Sequence, residues 1–116
     1  MKIEIEHPQK GQVVVRPKGR IDAESAPNFK ERLLQIAKED TDLLVVDLEA
    51  VNFIDSSGLS ALVSGLKALR QHGGSLSLSQ PQPQALKALR LTLLDRVFPI
   101  YTSVDQALSE GDLLKP

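Results

Sequence analysis

No cysteine occurs among the 116 residues, so disulfides, thiol nucleophiles and zinc–thiolate sites are excluded. Tryptophan is absent as well, and aromatics make up only 3% of the chain, too few for a surface that stacks on bases. The formal net charge is -1 with no dense cluster of lysine and arginine. Nothing is therefore arranged to neutralise a phosphate backbone, and no nucleic-acid partner is expected. No apolar run approaches the roughly 20 residues that cross a bilayer. The alternating charged start, Met1 to Glu6, is not a signal peptide. No membrane insertion is expected, and the expected location is the cytoplasm.

What is present is aliphatic. Hydrophobic residues reach 41%, enough for a real core in one domain over residues 1–116. Lys2 to Glu6 alternates as a half-exposed strand does. After the turn His7-Pro8-Gln9-Lys10-Gly11, Val13-Val14-Val15 reads as a second strand, and the two suggest a hairpin. Gly19-Arg20-Ile21-Asp22 is a short extended piece. Asp22 or Ser25 is placed to cap the helix that follows, with Pro27 in its first turn and Ala26, Phe29, Leu33, Ile36 and Ala37 on one face.

The run Leu43 to Leu48 reads as a buried strand. A second helix is expected from about Ser57 to Gln71, with Leu59, Leu62, Val63, Leu66 and Leu69 at helical spacing and Gly73-Gly74 as its stop. Leu76 and Leu78, alternating with serines, suggest another strand. Leu86, Leu89, Leu93 and Leu94 suggest a third helix. Val97 to Tyr101, interrupted by Pro99, suggests an edge strand. Ser103 is placed to cap a last helix with Val104, Ala107 and Leu108 facing inward, and Asp112 to Pro116 is expected to fray. The expected fold is α/β, a mixed sheet of about four to five strands with about four helices, parallel over its latter part.

The most informative segment is Asp55-Ser56-Ser57-Gly58-Leu59-Ser60. It places two serines and a glycine where a strand hands over to a helix. Free backbone N–H groups and the positive end of the helix dipole meet there, so added negative charge is tolerated. A hydroxyl presented at that point is a plausible phosphate acceptor. Read locally, the same residues are a capping turn, since Asp and Ser are favoured N-caps.

Three stretches together resemble the STAS domain, the domain of sulfate transporters and anti-sigma factor antagonists. They are Gly19-Arg20-Ile21-Asp22-Ala23, the strand Leu43 to Leu48 with Asp47 near its end, and Asp55-Ser56-Ser57-Gly58-Leu59. The last is similar to the Asp-Ser-Ser-Gly-Leu of the bacterial antagonists, and element order agrees over about residues 2–110.

The resemblance implies an anti-sigma factor antagonist phosphorylated at Ser57 by a partner that is both serine kinase and anti-sigma factor, with a phosphatase to reverse it. The dephosphorylated form binds the partner and frees a sigma factor. Asp22, Asp55, Ser56, Ser57, Gly58, Leu59 and Ser60 are the partner-binding residues it implies. Ser60, three residues from Ser57, is a second, weaker candidate acceptor. The alternative under the same fold is a subunit of a multiprotein assembly, such as a lipid-transport complex or a stress-signalling scaffold.

Other readings fail on the residues. Gly-x-Ser-x-Gly is absent, and neither His7 nor His72 is placed as a base for a serine. No Gly-x-x-x-x-Gly-Lys-Ser/Thr loop exists, so the chain is not itself a kinase. A receiver domain with Asp47 as acceptor needs an acidic pair after its first strand, where Arg16-Pro17-Lys18 stands. Two lone histidines make no metal site. No catalytic residue, metal or cofactor is expected.

Overall fold

The computed structural model describes residues 1–113. Its strands are β1 (Lys2–Glu6), β2 (Gln12–Ile21), β3 (Leu43–Asp47), β4 (Val51–Ile54), β5 (Ser75–Ser79) and β6 (Ile100–Tyr101). Its helices are α1 (Ala26–Ala37), α2 (Ser56–Gln71), α3 (Pro83–Leu91) and α4 (Val104–Leu113), with a short 3-10 turn at Leu94–Arg96. The sheet runs β1-β2-β3-β5-β6. Only the β1–β2 pair is antiparallel, and β4 joins β2. The mixed α/β sheet and four helices are those expected from the sequence. No helix among the described residues is long and apolar enough to cross a membrane.

Two features were not visible in the sequence. β2 is ten residues long and runs unbroken from Val13 through the piece read as separate at Gly19. Its first half pairs with β3 over Gln12–Val15, and its second half pairs with β4 over Gly19–Ile21. β4 is the element that periodicity missed. Pro17 falls in the gap between the two pairings, where no parallel partner needs the N–H it lacks. Gly19 then takes φ +98, a value open to glycine, as the register shifts and its amide bonds the Ala50 carbonyl at 2.9 Å.

Alternation along the central strands separates two apolar layers. Val13, Val15, Leu44, Val46, Leu76 and Leu78 pack with Phe29, Leu33, Leu62 and Leu66 of α1 and α2. Val14, Leu43 and Val45 face the other way, onto Ala107, Val104 and Leu108 of α4. Covering both sides explains why β3 is buried throughout. Asp47, at its end, is also buried. Its carboxylate accepts from Arg16 at 3.2 Å, from the Glu49 amide at 3.2 Å and from the Ser79 hydroxyl at 3.3 Å, a structural role.

The third helix stops at Leu91, and Leu93 lies outside it with φ 61 and 56% exposure. β6 is an edge strand of two residues, cut short by Pro99. Ser103 does cap α4, its Oγ accepting from the Gln106 amide at 3.0 Å. Asp112 and Leu113, expected to fray, belong to α4, and the rest of that expectation falls on residues 114–116, outside the described residues.

Candidate functional site

Two strand-to-helix turns stand side by side because β2 and β4 are parallel neighbours. Ile21 pairs with Ile54, and the Asp55 amide donates to the Ile21 carbonyl at 3.2 Å. Asp22 and Asp55 are thus the first residues beyond two adjacent strand ends, each opening a helix. The helices α1 and α2 that follow pack against each other.

At the first turn the Asp22 carboxylate accepts from the Glu24 amide at 3.1 Å and the Ser25 amide at 3.2 Å. Ser25 Oγ accepts from the Asp22 amide at 3.0 Å and donates to the Arg20 carbonyl at 2.8 Å. The two side chains thus build the turn ahead of α1. Ser25 is in the N-cap position, but its side chain makes no capping bond to the helix amides, so the expected side-chain cap is not formed. The Ser25 amide, against a smaller desolvation effect and with help from Arg20 and Glu24, holds the Asp22 carboxyl below its usual range. The Arg20 guanidinium lies 4.2 Å from the centroid of the Phe53 ring and reaches Asp22 at 3.4 Å. It therefore ties β2 to β4 across the site.

At the second turn Asp55 is the N-cap of α2. Its Oδ1 accepts from the Ser57 amide at 2.8 Å and the Gly58 amide at 3.2 Å. The free N–H groups expected around Ser57 are thus partly filled. A carboxylate of this chain already occupies two of them, as capping requires.

Ser56 and Ser60 are exposed and Ser57 is half-buried. Gly58 is buried, and a Cβ there would stand 2.6 Å from Ile54 Cγ1 and 2.8 Å from the Ile21 carbonyl oxygen. The absence of a side chain lets α2 start against the two strand ends. Leu59 is 5% exposed and belongs to the core. Gly58 and Leu59, expected among the partner-binding residues, are turned inward by the helix phase that exposes Ser56 and Ser60, and they support the turn.

Periodicity gave no sign of the surroundings of Ser57. Ser57 and Ser60 share a groove of about 350 Å³ with Pro27 and Lys30 of α1. Only the packing of α1 on α2 brings a cation there. Gln84, from the start of α3, clamps the preceding residue, accepting from the Ile54 amide at 2.9 Å and donating to its carbonyl at 2.8 Å.

No imidazole reaches Ser57. His72 is 15 positions further along the chain, just past the far end of α2, about 22 Å away at 1.5 Å per residue. His7 precedes the opposite end of β2, about 30 Å from Ile21 at 3.3 Å per residue. Among the described residues no group of three or more His, Asp or Glu side chains is placed to hold a metal ion. The turn presents a hydroxyl on a capped helix start with no imidazole beside it.

Residues 2–107 match the STAS domain. An anti-sigma F factor antagonist of Paenibacillus polymyxa is 28% identical over 115 residues, covering 98% of this chain and 97% of that protein. An anti-sigma-B factor antagonist of Bacillus subtilis is 33% identical over 93 residues, 80% of each chain. The crystal structure of an anti-sigma factor antagonist from Mycobacterium paratuberculosis superposes with a TM-score of 0.86 at 30% identity, over 96% of this chain and 93% of that one. The chain belongs to the STAS domain family, and these relatives are anti-sigma factor antagonists.

Proposed function

We propose that this STAS protein is a phosphorylation-switched anti-sigma factor antagonist with Ser57 as the acceptor. The observation that carries the reading is the placement of Ser57. Its hydroxyl is in the first turn of α2, its amide is pinned by Asp55, and it lines an open groove beside Lys30. In the transfer, Ser57 Oγ attacks the γ-phosphorus of ATP, loses its proton and expels ADP. Neither histidine of this chain lies near the hydroxyl and the Asp55 carboxylate is engaged by the Ser57 and Gly58 amides, so the general base is assigned to the kinase partner. A phosphatase reverses the step by hydrolysing the phosphoserine. The cycle runs in the cytoplasm and needs no cofactor of this protein's own.

Partner binding is read onto the surface made by Asp22, Asp55, Ser56, Ser57 and Ser60, with Gly58 and Leu59 holding it in place. A phosphoserine brings about -1.5 to -2 charges at pH 7 into that surface. Asp55 and Asp22 carry its negative charge, Arg20 is paired with Asp22, and Lys30 is the cation in the groove of Ser57. The dianion resists burial under a partner, so the phosphorylated form lets the anti-sigma factor go.

The test is to recover the partner from native lysate on the unphosphorylated protein. It is then incubated with the chain and ATP, and the intact mass is read. One added phosphate on the chain, lost in Ser57→Ala, supports the reading. A partner without kinase activity, or full labelling of Ser57→Ala, removes it.

A further inference from the structure

The largest concentration of exposed apolar side chains among the described residues lies away from Ser57. Among the described residues four large hydrophobic side chains stand exposed, and three of them are Leu91 at 76%, Leu93 at 56% and Val97 at 40%. All three lie at the end of α3 and in the turn that follows. Leu93 holds φ 61, a conformation that suits glycine and disfavours a leucine. The fold gains little from that side chain, which points outward.

Beside Leu91 a groove of about 510 Å³ is lined by Pro81, Pro83, Leu86 and Leu91, with the exposed Lys87 and Arg90 alongside. Lys87 and Arg90 have no carboxylate partner among the described residues. Arg16, Lys18 and Arg20, on β2, each hold one. An apolar groove with two unpaired cations is complementary to an apolar side chain flanked by carboxylates.

We propose that this face of α3 is a docking site for an acidic protein segment with an apolar anchor. The anchor fills the groove between Pro83, Leu86 and Leu91, and its flanking carboxylates meet Lys87 and Arg90. Leu93 and Val97 extend the contact. A concave groove fits an inserted side chain, whereas a bilayer surface would leave it unfilled. The proposal does not depend on phosphorylation of Ser57.

The probe is a fluorescein-labelled amphipathic helical peptide with leucines at i, i+4 and i+7 spacing flanked by glutamates. A matched peptide carries lysines in place of the glutamates. Anisotropy is read against the full chain. Saturable binding of the glutamate peptide is expected, about tenfold or more tighter than the lysine peptide. Lys87→Glu with Arg90→Glu should weaken it by about tenfold or more, and Leu91→Ala by about tenfold. Both variants change exposed positions, so their melting temperatures should match the unmodified chain. No saturable binding, equal binding of the two peptides, or unchanged binding by the double variant overturns the proposal. Co-sedimentation with phosphatidylglycerol vesicles that is lost in the double variant also overturns it, assigning the surface to membranes.

Discussion

The Asp55 carboxylate accepts the Ser57 amide at 2.8 Å, so the cap of α2 and the proposed phosphate acceptor are two residues apart and joined by one hydrogen bond. A phosphate on Ser57 therefore enters a helix start whose amides are shared with a carboxylate. The helix dipole favours it by about 0.3–1 kcal/mol, and the like charge of Asp55 opposes it by a similar amount. Against a typical total stability of about 5–15 kcal/mol, the fold should be unmoved. Circular dichroism melts of the phosphorylated and unmodified chains should nearly coincide, and a collapse on phosphorylation would refute a switch confined to the surface.

Removing the cap separates its two roles. Asp55→Ala should cost about 1 kcal/mol of stability, while Asp55→Asn keeps most of it, because Asn accepts the same amides without the charge. Urea unfolding of the three proteins measures this. Equal stability of all three would mean that the Oδ1 bonds to Ser57 and Gly58 contribute nothing.

Gly58→Ala sets helix propensity against space. Alanine is better than glycine inside a helix by about 1 kcal/mol. Its Cβ would meet the Ile21 carbonyl oxygen at 2.8 Å and Ile54 Cγ1 at 2.6 Å, and the carbonyl belongs to backbone that cannot swing aside. Overpacking costs about 1–3 kcal/mol and should win, with a net loss of up to about 2 kcal/mol in the same denaturation assay once the propensity gain is subtracted. A stabilised variant would show that the strand ends yield.

Leu93→Gly should do the opposite. The native φ of 61 is strained for leucine by about 1–2 kcal/mol and free for glycine, which gives back part of that in unfolded-state entropy. With the side chain 56% exposed, a net gain of about 0.5–1 kcal/mol is expected in thermal melts. A loss would place Leu93 in a packing role within the fold.

Affinity for the kinase partner should fall about 30- to 4000-fold on phosphorylation of Ser57, the equivalent of roughly 2–5 kcal/mol for an unpaired or like-charged contact in an interface. Ser57→Asp should imitate part of the loss, and Ser57→Ala should bind like the unmodified chain. Isothermal titration of the four forms decides it. Undiminished binding of the phosphorylated form would sink the switch.

The Asp22 turn adds an acid-sensitive element. Its carboxyl titrates below the usual range in the folded chain, so near pH 4 the unfolded chain binds more protons. The stabilisation is complete above that ordinary pKa and is lost as pH falls through the lowered folded value. Asp22→Asn should flatten this part of the stability–pH profile in urea titrations. An unchanged profile would mean that the Ser25 and Glu24 amides do not favour the charged carboxyl.

What could be read from the sequence was whatever depends on near neighbours. Alternation announced β1, and a continuous apolar run announced β3. Helical spacing marked the inner faces of α1 and α2, since these patterns come from geometry repeated every two or 3.6 residues, and Asp55-Ser56-Ser57-Gly58 was legible as a capping turn without showing which residue caps. Element order and the Asp-Ser-Ser-Gly motif were enough to point to the family.

Tertiary structure decided the rest. Val51–Ile54 is too short to declare itself, and it is a strand only because the far half of β2 pairs with it. That pairing sets Asp22 beside Asp55, takes the space a side chain at Gly58 would need, and turns Leu59 into core. Packing of α1 on α2 brings Lys30 to the groove of Ser57. Each of these joins residues roughly 30 apart in the chain, and no local periodicity carries the strand register or the helix packing that brings them together.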